Sequence, residues 1–379
     1  MLRADAHVST VELFFDLVYV FAVTQLSHLL AEHASADRVI QVAVLLAMVW
    51  QVWVYTTWAL TYLDPDRGPV RVLLLTLMLG SLVLAAGLTE AFAGRGLLVA
   101  IMYVAMQLGR CLFVIVALRG EALQRAFLRI LPWTAMSSVV VIVGGLEHGH
   151  VRELLWAAAV ALDLVGAALG FYVPGLGRSD THEWTVSGAH FAERCQAFVL
   201  IALGESIVVS GATLAGLHRP GAAEITAFVV SFAASAGLWW IYFSRAAEDS
   251  ALVIASSGDP GRLARNAFHW IHPLIIGGII LGAAADDLVL ADPSARGDVA
   301  VAWLVLGGTA LYLGAHALFK AVIWRLASWP RLVGTVSCLA LLGLAPHASR
   351  LVLACCALAV IVAVAVADRL THPQVSQAG

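Results

Sequence analysis

VELFFDLVYVFAVTQLSH, residues 11–28, is an apolar run with two acids set into it, Glu12 and Asp16. A second run, ERCQAFVLIALGESIVVS at 193–210, repeats the arrangement with Glu193, Arg194 and Glu205. Each is long enough to cross most of a bilayer as a helix. A charge at the centre of such a segment costs about 2.5–3.5 kcal/mol on insertion scales, so the first reading of these acids is functional.

The remainder of the chain has the same character. Of its 379 residues, 61% are hydrophobic and 12% charged, and the mean hydropathy is +0.89, outside the range of soluble domains. A net charge of −3 without a basic run argues against a nucleic-acid partner. The five cysteines (Cys111, Cys195, Cys338, Cys355 and Cys356) lie in apolar segments without a CxxC spacing, which predicts neither a disulfide framework nor a zinc site. Glu12 and Asp16 interrupt the start of the first apolar run, which then continues to Leu30. A retained helix is therefore expected there rather than a cleaved signal peptide.

Windows of about 20 apolar residues, the span that roughly 30 Å of hydrocarbon requires, fall at 12–31, 40–62, 71–92, 97–117, 129–146 and 153–173, and again at 189–214, 223–244, 265–288, 299–319, 331–346 and 350–368. The expected fold is all-α: a polytopic integral membrane protein of about twelve transmembrane helices. Trp53-Val54-Tyr55 falls over Trp240-Ile241-Tyr242, LAAGLTE at 84–90 over LGAAADD at 281–287, and Pro132-Trp133 over Trp329-Pro330, all in the same order. That order predicts two parallel six-helix repeats, at 1–174 and 188–369, with a cytoplasmic connector at 175–187 and a short tail at 370–379. Connections on the side of the N-terminus carry fourteen Lys and Arg and those on the other side six, which places both termini in the cytoplasm.

Five stretches resemble the low temperature requirement protein A (LtrA) family of bacterial membrane proteins: ELFFDLVYVFAVTQLS at 12–27, ERCQAFVLIALGESIV at 193–208, WWIYFSRAAED at 239–249, AFHWIHPLIIGGIILGAAADD at 267–287 and LYLGAHALFK at 311–320. They stand in the family's order and are spread over most of the chain, from residue 12 to residue 320. The resemblance implies a multi-pass protein of the bacterial cytoplasmic (inner) membrane. The family's name comes from a growth phenotype and supplies no substrate. Phe15-Asp16 is also similar, over two residues, to the Phe-Ser-Asp of FSD-motif potassium channels.

A helical rise of about 1.5 Å per residue gives approximate depths. Glu12 and Asp16 fall one turn apart near the cytoplasmic end of the first span, with Glu193 and Arg194 at the matching depth of the seventh. His269 and His272, one turn apart at the start of the ninth span, and Arg110 and His316, on spans running the other way, fall in the same half. Together they form an expected inner cluster of both charge signs, as pairing in a low dielectric requires. Gln25 and Glu205 belong nearer the outer side, with Asp286 and Asp287 ending the ninth span. These ten residues, Glu12, Asp16, Gln25, Arg110, Glu193, Arg194, Glu205, His269, His272 and His316, are the candidate pathway. The structural alternatives are headgroup anchoring for Glu12, Glu193 and Arg194, an interhelical ion pair for Asp16, Arg110 and Glu205, and packed core histidines for His269, His272 and His316. Asp163 reads as a hydrogen-bond acceptor, and Glu147, His148 and His150 as a solvated turn rather than a metal site. Gly204, Gly277, Gly278 and Gly282 read as points of close helix approach.

A solute or ion transporter or channel, with a cation or proton pathway between the two repeats, fits these features first. In it Asp16 and Glu205 would bind or relay the ion, and Arg110 would tune them or meet an anionic group. Two other classes stay open: a lipid-state sensor or structural protein linked to cold growth, and an intramembrane lipid-acting enzyme. The enzyme reading lacks any HExxH, GxSxG or P-loop motif. No cofactor and no metal are expected. The expected partners are membrane lipids and a small solute or ion, with a homo-oligomer left open and nucleic acid excluded.

Overall fold

In the first helix the usual pattern of a soluble protein is inverted. Leu17 is 57% exposed, with Leu13 and Phe14 beside it on the outside, whereas Asp16 is 1% exposed and Glu12 fully buried. Apolar side chains face outward and charges inward, as hydrocarbon surroundings demand.

The computed structural model describes residues 8–180, 188–243, 253–254 and 256–371. Most of the expected connector at 175–187 and tail at 370–379 lies outside them, as do residues 244–249 of the third family stretch. Among the described residues there are twelve long helices and no β-strand. They are α1 Thr10–Glu32, α2 Ala36–Leu60, α3 Gly68–Gly87, α4 Gly96–Ala117, α5 Gln124–Leu146, α6 Gly149–Ala168, α7 Gly188–Gly216 and α8 Ala222–Phe243, then α9 Pro260–Ala291, α10 Val299–Trp324, α11 Trp329–His347 and α12 Arg350–Thr371. Eleven of the twelve are long and apolar enough to span a bilayer. The exception, α6, has 20 residues and carries Arg152, Glu153 and Asp163.

Local chemistry sets the helix boundaries. Ser9 caps α1, its hydroxyl accepting from the Glu12 N–H at 3.4 Å while the Ser9 N–H donates to the Glu12 carboxylate at 2.8 Å, a reciprocal capping box. Pro69 opens α3, where its missing N–H would have had no helical partner. Asp298 caps α10 by accepting from Val301 N–H at 2.7 Å.

The chain packs as two compact units. The first comprises the described residues of Met1–Leu29, Ala36–Ile201 and Ser250–His269, and the second those of Leu30–Ser35, Ala202–Asp249 and Trp270–Gly379. Packing units and duplicated sequence halves are different things, and the first does not decide the second.

In the first unit α4, α5 and α6 pack side by side, and α2 lies against α4 and α6. Arg152, counted from the sequence as a loop charge, is buried there. It donates to the carbonyls of Ala91 at 2.5 Å, Ala93 at 3.1 Å, Gly144 at 3.2 Å and Glu147 at 2.5 Å, closing helix ends whose acceptors have no N–H of their own. A side chain on Gly96 would collide with its guanidinium, the built Cβ falling 2.2 Å from Cζ.

In the second unit α9 packs on α10, and α8 on α12. Gly278 and Gly308 bring backbone against backbone, a Cβ on Gly278 falling 2.9 Å from the Gly308 carbonyl oxygen. The expectation of close approach thus holds for Gly278, whereas a Cβ on Gly204 or Gly282 would enter open space. Arg331, also counted as a loop charge, is buried and pairs with Asp368 at 2.8 Å. Removing Arg152 and Arg331 from the loop count takes one charge from each side, so the excess is unchanged. All five cysteines are free.

Candidate functional site

Two arrangements of buried charge occupy the first unit. One joins α1 to the start of α7. Glu12 and Asp16 stand one turn apart on α1, and His190 and Arg194 one turn apart on α7, so the two pairs meet rung against rung. The Arg194 guanidinium grips Asp16 with both edges, Nε to Oδ2 at 2.9 Å and Nη2 to Oδ1 at 2.5 Å, and donates through Nη1 to Glu12 at 3.1 Å. His190 Nε2 lies 2.7 Å from Glu12 Oε1, and Trp53 on α2 donates its indole N–H to Asp16 at 2.6 Å. The guanidinium also lies over the rings of Trp53 and Phe15, 5.6 and 5.8 Å from their centroids. All four ionisable groups are buried to within about a hundredth of their surface. Such a cluster is stable in a low dielectric only because the fork–carboxylate match and the extra donors replace the water that was removed. Asp16 therefore has three N–H donors on it.

The second arrangement centres on Arg110 of α4. Its Nη1 donates to the Val52 carbonyl at 3.2 Å and to Thr56 Oγ1 at 3.4 Å, and its Nη2 donates to Gln107 Oε1. The guanidinium lies 5.4 Å from the Tyr55 ring centroid. Gln107 in turn donates to Tyr103 at 3.0 Å, and Tyr103 donates to Asp163 at 3.2 Å, so Asp163 is an acceptor at the end of a relay, as its sequence context predicted. Among the described residues, Arg110 forms no ion pair.

Beside it lies a cavity of about 70 Å³. Trp58, Phe127, Ile130 and Phe171 supply its apolar wall, and Arg110, Tyr55, Ser179, Arg265 and His269 its polar atoms. Arg265 and His269 come from a π-helical stretch of α9, Arg265–Ile271. The cause is legible in the sequence: Pro273 has no N–H and crowds the carbonyl four residues before it, which is that of His269. Trp50 donates its indole N–H to that carbonyl at 3.0 Å.

The expected inner cluster is therefore divided. Glu12, Asp16 and Arg194 do come together, with His190, which the sequence reading passed over. Arg110 is not among them and shares the cavity with His269. Glu193 points outward and is exposed, in keeping with the anchoring alternative. Gln25 is half-buried. In the second unit His272 and His316 sit in an aromatic nest: Tyr242 Oη is 2.8 Å from His272 Nε2, and the His316 ring stacks on those of Tyr312 and Phe319 at 5.9 and 6.0 Å. Glu205 is buried there as well. Nearby in sequence Ser210 and Ser231 lie 3.0 Å apart, Ser231 bonds Asp286, and Thr213 donates to Asp287 at 2.6 Å. Among the described residues no group of three or more His, Cys, Asp or Glu is placed to hold a metal.

The model of the bacterial low temperature requirement A protein (LtrA) family matches residues 7–366. The chain belongs to the LtrA family. One relative, an uncharacterized protein of Rhizobium meliloti (strain 1021), is 38% identical over 326 residues, covering 85% of this chain and 79% of its own. No solved structure matches the chain. Both the Glu12–Asp16 and the Arg194 ends of the charge cluster, and every cavity residue, fall within the matched LtrA region.

Proposed function

We propose that this LtrA-family protein transports a small solute or ion across the bacterial cytoplasmic membrane, with both termini in the cytoplasm. The observation that carries the reading is Arg110, a buried cation in a membrane helix that meets neutral acceptors and a cavity instead of a carboxylate. Ionisable groups held inside membrane spans line substrate and ion routes when they are not consumed in pairing. In this reading the Glu12, Asp16, Arg194 and His190 cluster fixes α1 against α7, and the cavity contacts the cargo. Glu205, Asp286 and the hydroxyls of Ser210 and Ser231 supply oxygen ligands for a coupling cation or proton in the second unit. The excess of Lys and Arg in the connections on the N-terminal side supports the orientation.

Flux in proteoliposomes tests this. Full-length protein is assayed with labelled small organic solutes and under imposed potassium, sodium and proton gradients, beside Arg110→Gln. The expected result is wild-type flux reduced at least about tenfold in the variant, with helix content and monodispersity retained. Folded wild-type protein that moves nothing under any of these conditions would end the transport reading.

A further inference from the structure

We infer that the cavity beside Arg110 binds a small organic monoanion, a short-chain carboxylate, held by the guanidiniums of Arg110 and Arg265 and the hydroxyl of Tyr55. The inference rests on the transport reading for what the site is for, and its binding step is a property of the first unit.

Charge comes first. Among the described residues two arginines line the cavity and no acid does. Neither arginine forms an ion pair among those residues: Asp163 is hydrogen-bonded toward Arg110 through Tyr103 and Gln107, and Asp163 on Arg110 and Asp259 on Arg265 act only across a distance. Arginine does not shed its proton in a protein. A positive charge left bare in an apolar enclosure is strongly unfavourable. An anion in the cavity removes that penalty, and a cation would add to it.

Unused donors make the same point. Arg110 has five N–H groups and three acceptors, so two N–H groups remain. Arg265 donates once, from Nη1 to the Ala167 carbonyl at 2.9 Å, and its Nε is buried without an acceptor. The Tyr55 hydroxyl is buried and has no partner among the described residues. Buried donors are normally satisfied. Here several converge on one space, and a planar carboxylate is the acceptor that two guanidinium forks match.

Size and walls select within the anions. By the same measure of volume a single water needs roughly 10–15 Å³, so a cavity of about 70 Å³ takes about five to seven heavy atoms. Propionate and butyrate fall in that range, with acetate just below it. Trp58, Phe127, Ile130 and Phe171 offer a carbon chain a surface that chloride or inorganic phosphate cannot use. The π-helical turn carrying Arg265 and His269 is of the kind that recurs at functional sites.

The test is equilibrium binding of radiolabelled propionate to the full chain purified in detergent, with acetate, butyrate, chloride and phosphate as competitors. We expect saturable binding that acetate and butyrate displace. Arg110→Gln should weaken it at least about tenfold. Tyr55→Phe removes a hydroxyl that no described residue uses, so it should leave the melting temperature unchanged and weaken binding about three- to tenfold. Absence of saturable binding, binding that neither variant changes, or stronger displacement by chloride or phosphate than by butyrate would overturn the site. Propionate binding in detergent without flux in liposomes would keep the site and end the transport reading. Flux that ignores both variants would keep transport and end the site.

Discussion

Arg194 and Arg110 are both buried in helices of the first unit, yet their surroundings differ in kind. Arg194 is closed on every side, by two carboxylates, two aromatic faces and a neighbouring imidazole that shares one of its acids. Arg110 meets a carbonyl, a hydroxyl and an amide, and keeps donors over for a cavity. Burial alone would rank them together. Each makes three hydrogen bonds, and what separates them is the acceptor: carboxylates neutralise Arg194, whereas Arg110 meets only neutral groups beside a cavity, which tells a structural charge from one held for something that arrives.

The sharpest way to break the comparison is Arg194→Met. It leaves Glu12 and Asp16 buried without their counter-charge, and stability in detergent, followed by chemical unfolding, should fall by about 3–5 kcal/mol. A loss below about 1 kcal/mol would mean that the cluster is not the fastening described here. Trp50→Phe comes next. It removes the indole donor to the His269 carbonyl in the π-helical turn and should lower stability by about 1–3 kcal/mol, with faster amide exchange confined to residues around 265–271. The smallest effect is expected for Arg110→Gln, whose stability should stay within about 0.5 kcal/mol of wild type or rise, since a charge without a carboxylate leaves the interior. A large loss there would make Arg110 a structural residue like Arg194 and remove the contrast.

Much of this was legible in the sequence. Hydropathy windows located all twelve helices to within a few residues, because hydrocarbon thickness fixes their length. The contact between α1 and α7 could be read in part from depth, which sets Glu12 and Asp16 level with Arg194, whereas His190 lies inside the 189–214 window but ahead of the charged motif and carries no signal of its own. What helical rise supplies is depth. It does not say which neighbour a side chain faces, so Arg110, placed at the right level, was assigned to the wrong company. His269 and His272 would share one face of a regular α-helix. The π-helical turn ahead of Pro273 intervenes, and His269 belongs to the first compact unit and His272 to the second. The His-Pro pair at 272–273 was the available signal.

Arg152 leads two lives in time. While the chain is being inserted, a positive residue next to a span weighs on which way that span is threaded, and Arg152 stands among the six on the side opposite the N-terminus. Its final partners, the carbonyls of Ala91, Ala93, Gly144 and Glu147, come together only once α3 to α6 have assembled. The guanidinium is thus a signpost to the insertion machinery first and a clasp afterwards, and its burial records that this four-helix assembly has been completed.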